Sequence, residues 1–87
     1  MKIKQGFVVR EIAGQTLVVA LGEASEVYNG IIKLNETGRV IWDMLAEGAE
    51  KEAIVDKLAS IYDADRETLA VDCDRFIASL EENGILE

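Results

Sequence analysis

The chain has 87 residues, of which 49% are apolar, and its formal net charge is -8 with no histidine and one cysteine. A chain of this length supports one hydrophobic core, so we expect a single domain over residues 1–87. Because the apolar residues occur only in short runs, we expect neither a secretory signal nor a membrane span, which predicts a cytoplasmic protein.

Two segments rich in β-branched residues open the chain. Residues 7–12 and 16–21 predict strands, and the short reversal at 13–14 joins them in a hairpin. The polar residues 23–28 predict a loop. A short apolar run over residues 31–34 then predicts a third, antiparallel strand.

From Asn35 the spacing of apolar residues changes from two to 3.6, which predicts helices. The first helix begins at Asn35, a good N-cap residue, and ends at Gly48. The second carries an apolar stripe over residues 54–62, and the third is capped by Asp65 and ends at residues 83–84. Strands followed by helices predict an α+β fold, a winged helix-turn-helix with a three-stranded antiparallel sheet followed by three helices.

The residue types that most catalytic and metal sites need are missing. The absence of histidine removes the commonest general base and transition-metal ligand, and Cys73 lies on the apolar stripe of the third helix. Carboxylates at residues 63, 65 and 67 resemble the start of a calcium loop, but Thr68 stands where an EF-hand requires glycine. We therefore expect no catalysis, no cofactor and no metal ion.

The negative charge is concentrated in the second half of the chain, where residues 41–87 carry thirteen acidic and four basic side chains. The third helix would be the recognition helix of a DNA-binding winged helix, yet over residues 65–83 two arginines oppose six carboxylates, a balance of -4. This charge repels phosphates, so we expect no binding to nucleic acid or to a membrane surface. A winged-helix transcription regulator or another protein-interaction domain is the alternative function.

The third strand is the element that core packing explains least. As an outer strand of a meander it carries one charge, whereas the first strand carries Arg10 and Glu11. Its unpaired N–H and C=O groups would accept a peptide strand, or a second copy of the protein in a homodimer. The other interpretation is that the strand is too short to need protection or is covered by residues 23–28.

The order and spacing of several motifs resemble the PqqD family. The resemblance begins at Leu34-Asn35 with the small residue Gly38 after them, and it continues through Ile41-Trp42. Together the motifs cover most of the chain from Gly6 to the end. Further matching positions are Met44, Leu45, Glu47, Gly48, Ile54, Val55, Leu58, Tyr62, Val71, Asp72, Phe76, Ile77, Leu80, Gly84 and Ile85.

The resemblance implies a recognition element for ribosomally made, modified peptides. In this family the leader of a precursor peptide adds as a strand to the third strand and rests against the third helix. The implied role is that of a non-catalytic adaptor, or peptide chaperone, for a separate modifying enzyme such as a radical SAM protein. Residues 22–30 depart from the shorter connection with a Pro-Glu pair found in the quinone pathway, so we expect a different modified peptide.

On this basis we predict a peptide-binding site formed by two elements. The third strand would supply main-chain hydrogen bonds, and the third helix would contact side chains of the leader. The acidic third helix also predicts a leader with at least one basic residue. The predicted site residues are Ile31, Ile32, Lys33, Leu34, Asp72, Arg75 and Phe76.

Overall fold

The computed structural model describes residues 2–87. Its strands form one antiparallel sheet in the order β1-β2-β3, and the helices other than a short one follow the sheet, so the predicted α+β class is confirmed. The helices predicted as first, second and third are α2, α3 and α4, and an additional one-turn helix, α1, precedes β3. The elements are β1 (Phe7–Ile12), β2 (Gln15–Ala20), α1 (Ala24–Val27), β3 (Ile32–Leu34), α2 (Glu36–Ala46), α3 (Lys51–Ile61) and α4 (Arg66–Glu82).

The hairpin between β1 and β2 closes on a two-residue turn. Ile12 pairs with Gln15, so β2 begins one residue earlier than predicted. Both turn residues are left-handed, with φ of 52° at Ala13 and 78° at Gly14, as a type I′ turn requires. Glycine adopts this conformation without strain, whereas an alanine in it costs about 1–2 kcal/mol.

The stretch predicted as a loop between β2 and β3 contains α1. Tyr28 donates its N–H to the C=O of Ala24 at 3.0 Å, which closes a single helical turn. Ala24 is buried, and a Cβ placed on Gly6 would lie 2.7 Å from the Ala24 Cβ. One buried alanine among polar residues gives no periodic signal, which is why the sequence pattern does not predict this turn.

Helix α2 begins and ends with the local signals that predicted it. The Oδ1 of Asn35 accepts a hydrogen bond from the N–H of Gly38 at 2.7 Å, which is a side-chain N-cap. At the other end Gly48 has φ of 86°, and Ala49 donates to the C=O of Met44 at 3.0 Å. This pattern is a Schellman motif, in which glycine takes the left-handed position without strain.

Helix α4 ends in the same motif but begins differently from the prediction. Asp65 occupies the N-cap position, yet its side chain accepts no capping hydrogen bond; its backbone carbonyl oxygen accepts from the N–H of Leu69 at 3.0 Å. At the C-terminus Gly84 has φ of 73°, and Ile85 donates to the C=O of Leu80 at 2.9 Å. The cap therefore folds the tail back onto the helix.

The core lies between one face of the sheet and the helices. Cys73 belongs to it, and burial is the main reason why the pKa of its thiol lies above the ordinary value; Asp74 raises it further and Lys51 partly offsets both. No helix of residues 2–87 is long and apolar enough to cross a membrane. The largest fully buried side chains are Ile41, Leu45, Ile54, Leu58, Ile85, Val18 and Cys73.

The two ends of the protein are joined by a short bridge. Ile3 and Leu86 pair in antiparallel fashion. Lys4 donates its N–H to the C=O of Ile85 at 2.9 Å, and Glu87 donates to the C=O of Lys2 at 2.8 Å. The tail after α4 thus holds the segment before β1 against the core.

Candidate functional site

The hydrogen-bond alternation of the β1-β2 ladder determines which way the main-chain groups of β2 point. One residue beyond the Phe7–Ala20 pair, Leu21 donates its N–H to the C=O of Gly6 at 2.8 Å. Gly6 and Leu21 are therefore a hydrogen-bonded pair. Hydrogen-bonded pairs alternate along an antiparallel ladder, so the Arg10–Leu17 pair is also one. The N–H and C=O of Leu17 therefore face β1.

The main-chain groups of β3 follow from this assignment. Strand β2 pairs with β3 in the register Thr16–Leu34 and Val18–Ile32. Because the main-chain groups of Leu17 face β1, those of Thr16 and Val18 face β3. Thr16 therefore exchanges hydrogen bonds with Leu34, and Val18 with Ile32. The N–H and C=O of Lys33 therefore point away from β2, to the edge of the sheet that no strand within residues 2–87 occupies.

The side chains of β3 alternate between the core and the solvent. Leu34 is buried and Ile32 packs against the core, while Lys33 is exposed. Ile31 precedes the strand and is 63% exposed. Of the four predicted strand residues, Ile32 thus has both its side chain and its main-chain groups occupied within the fold, and Lys33 has its main-chain groups free.

A groove runs from the edge of β3 to α4 and consists of three adjoining hollows. The first, of about 280 Å³, is lined by Lys33, Leu34, Asn35 and Phe76. The ring of Phe76 therefore connects β3 with α4 and forms the wall between this hollow and the next. The structure thus brings together two predicted strand residues and one predicted helix residue.

The second and third hollows continue along α4. The second, of about 290 Å³, lies between Phe76, Asp72 and the first turn of α2. The third, of about 360 Å³, lies beyond Asp72 and includes Val71 and Arg75. Asp72 lines both hollows, whereas Arg75 lines only the third. We call the three hollows together the β3–α4 groove.

The groove depends on Gly38, which the sequence marks only as a position matching the family and not as a site residue. A Cβ at Gly38 would lie 3.1 Å from the Oδ1 of Asn35, 3.3 Å from Cε2 of Phe76 and 3.6 Å from Cδ2 of Leu34. The missing side chain lets the Phe76 ring approach the first turn of α2. A glycine in the first turn of a helix, where it lowers helix propensity, is the available sequence signal for such a close approach.

The far end of the groove is acidic. Asp65, Glu67 and Asp72 line the third hollow together with one cation, Arg75. Neither Asp72 nor Arg75 forms a salt bridge with another residue in the part of the protein that the structure describes. Side chains at this end are therefore available to a ligand, and the local charge favours a basic one.

Two other features of the described residues bear on binding or catalysis. No three His, Cys, Asp or Glu side chains within residues 2–87 are placed to hold a metal ion. A larger hollow of about 640 Å³ is lined by the hairpin, α2 and α3, and it shares Lys33, Leu34 and Asn35 with the first hollow of the groove. The guanidinium of Arg39, which lines this hollow, already forms salt bridges with Glu11 at 3.3 Å and with Asp43 at 3.0 Å.

Comparisons with known proteins identify the family and the fold of this chain. The family model of coenzyme PQQ synthesis protein D (PqqD) matches residues 8–86. TbiB1, solved in complex with the TbiA(beta) leader peptide, is 30% identical over 100% of this chain and 95% of its own, with a TM-score of 0.79. Lasso peptide synthetase B1, complexed with the leader peptide, shares the fold at 20% identity over 99% of this chain and 95% of its own, with a TM-score of 0.78. No curated protein matches the sequence. The match of the family model over nearly the whole length confirms the resemblance, and the chain belongs to the PqqD family.

Proposed function

We propose that this protein binds the leader of a ribosomally synthesised precursor peptide and presents it to a separate modifying enzyme. The observation that carries the proposal is the outward-facing main chain of Lys33, directly beside the hollow bounded by Leu34 and Phe76. The protein supplies no catalytic group in this role. The similarity to TbiB1, which was solved with a leader peptide, supports it.

The leader adds to the sheet as a fourth strand, antiparallel to β3. Its main chain exchanges hydrogen bonds with Lys33, and its alternate side chains enter the β3–α4 groove. The three adjoining hollows extend one after another from the edge of β3 along α4. This elongated shape suits successive side chains of an extended peptide.

Charge contributes selectivity more than affinity. A basic leader residue would lie near Asp72 and the carboxylates of the third hollow. Because exposed ion pairs contribute only about 0–1 kcal/mol, strand pairing and apolar contact with Phe76 provide most of the binding free energy. The same acidic surface makes the transcription-regulator alternative unfavourable, since α4 would have to approach phosphates.

The modifying enzyme is a separate protein such as a radical SAM maturase. A homodimer through β3 would use the same main-chain groups of Lys33 and would therefore compete with the leader. Leader affinity that falls as protein concentration rises would reveal such competition.

The decisive experiment replaces Lys33 with proline. Lys33→Pro removes the outward N–H and places a ring on the open edge, while edge strands tolerate proline when the lost N–H faces solvent. Lys33→Ala is the matched control, because it removes the same charge and keeps the N–H. We expect Lys33→Pro to weaken binding of the leader encoded beside this gene by at least about tenfold, or about 1.4 kcal/mol, and Lys33→Ala to bind nearly as the wild type does.

Isothermal titration calorimetry gives the affinities, and NMR titration locates the contact. Amide shifts should concentrate at Ile31, Lys33, Asp72 and Phe76. Ile32→Pro should instead unfold or destabilise the sheet, because its N–H bonds to β2. Equal leader affinity of the Lys33→Pro and Lys33→Ala variants, or shifts confined to β1 and α2, would contradict the proposed binding mode.

A further inference from the structure

The face of the sheet opposite the core carries four apolar side chains, of which Val8, Leu17 and Val19 are half-buried and Ile12 is 56% exposed. Phe7, Val9 and Ile32 point inward and pack against the core. Their neighbours along the strands point to the other side, where Val8 pairs with Val19 across the two strands of the hairpin. An antiparallel sheet with one solvated face normally alternates apolar and polar residues, and this sheet does not.

We call this surface the outer face, and its charge is unlike that of the rest of the protein. It carries two cations, Arg10 and Lys33, which flank Leu17 in the cross-strand register, and it has no carboxylate, although the protein as a whole has a charge of -8. Neither cation pairs with a carboxylate within residues 2–87. The outer face consists of Val8, Arg10, Ile12, Gln15, Leu17, Val19 and Lys33.

We propose that the outer face docks the modifying enzyme, through an apolar patch on the enzyme that is bordered by Asp or Glu side chains. This proposal rests on the proposed function. Arg10 and Lys33 supply the charge complementarity, and their influence is local because exposed charges are screened beyond about 8 Å at physiological ionic strength. The net charge of the whole protein therefore does not prevent an acidic rim from binding there.

The size of the outer face couples enzyme binding to leader binding. Three strands of this length present roughly 15 Å by 20 Å, or about 300 Å². A stable interface buries about 800 Å² on each partner, so the face alone holds the enzyme weakly. A leader strand added to β3 extends the sheet, and every second leader side chain joins the outer face beside Lys33. The enzyme then contacts protein and leader together and binds more tightly.

The test measures leader affinity and enzyme affinity separately, with the leader and the modifying enzyme encoded beside this gene. Arg10→Glu reverses an exposed charge on the outer face. The double variant Val8→Thr with Val19→Thr keeps branched side chains in paired strand positions and makes the face more polar. Lys57→Glu, an exposed charge reversal on α3, is the matched control.

We expect the leader to raise the affinity of the wild type for the enzyme by about tenfold or more. Arg10→Glu and the double valine variant should lower enzyme affinity by about tenfold while leader affinity stays within about twofold, and Lys57→Glu should change neither. Unchanged enzyme affinity in both outer-face variants, with leader binding intact, would overturn the docking surface alone. A wild type that binds no leader would refute the proposed function instead. Wild-type dimers in sedimentation that the double valine variant abolishes would assign the face to self-association and overturn enzyme docking.

Discussion

Replacing Gly38 with alanine tests how closely the fold and the β3–α4 groove depend on each other. In an unobstructed helix the change would be favourable, because alanine exceeds glycine in helix propensity by about 1 kcal/mol. Here the new methyl group would lie 3.1 Å from the Oδ1 of Asn35 and 3.3 Å from the ring of Phe76. At least one of these two side chains has to move.

The expected change in the free energy of unfolding is estimated from the cost of each movement. Displacing Asn35 breaks the N-cap hydrogen bond of 2.7 Å, worth about 1 kcal/mol. Displacing Phe76 overpacks the junction with α4, which costs about 1–3 kcal/mol. Both contacts are tight, so both costs apply, about 2–4 kcal/mol together; after the gain in propensity we expect Gly38→Ala to lower the free energy of unfolding by about 1–3 kcal/mol. Because Phe76 lines two hollows of the groove, leader affinity should fall as well.

Urea unfolding followed by the fluorescence of the buried Trp42 measures the stability, and calorimetry measures leader affinity. Gly48→Ala is the control, because Gly48 has φ of 86° and nothing within 4 Å of the added Cβ. It should lose about 1–2 kcal/mol through left-handed strain alone and bind the leader normally. If Gly38→Ala is as stable as the wild type or more so, with unchanged leader affinity, the packing argument is wrong.

Other predictions concern the turn, the buried thiol and the charge of α4. Ala13→Asn relieves left-handed strain and creates the Asn-Gly pair preferred in type I′ turns, so it should add about 1 kcal/mol and raise Tm by about 4–8 °C; an unchanged Tm would contradict this. Because burial raises the pKa of the Cys73 thiol, its contribution to stability is fully present below the ordinary thiol pKa of about 8.5 and is lost as pH rises further. Urea titrations between pH 7 and 10 should show a steeper alkaline loss for the wild type than for Cys73→Ala, and parallel curves would refute the assignment. Fluorescence anisotropy with labelled duplex DNA should stay flat at physiological salt, and salt-sensitive submicromolar binding would favour the transcription-regulator function.

Features set by local signals were predictable from the sequence. Asn35 and Gly48 delimited α2 because capping depends on residues within one turn of the helix end. The buried position of Cys73 followed from helical periodicity, and the antiparallel third strand followed from the apolar run after residues 29–30. The negative charge of α4 could be predicted by counting the charged residues in the sequence.

Features that depend on register or on contacts between elements were not predictable. The sequence showed an open strand over residues 31–34, but it did not show that the main chain of Lys33 faces outward while that of Ile32 faces β2. That distinction depends on which pairs of the β1-β2 ladder are hydrogen-bonded. The contact between Gly38 and Phe76 joins two helices distant in sequence, and the four residues of α1 span only about one helical period, too few for an apolar pattern to repeat.

The bridge between Ile3 and Leu86 has a consequence for how this fold combines with other proteins. Residues 2–4 and 85–87 lie side by side, held by the bonds from Lys4 to Ile85 and from Glu87 to Lys2. A domain whose first and last residues lie close together is easily inserted into a surface loop of a larger protein, or circularly permuted. Insertion into an enzyme would need only two short linkers. A leader bound to the inserted domain would then reach the active site of the same molecule, at an effective concentration set by linker length.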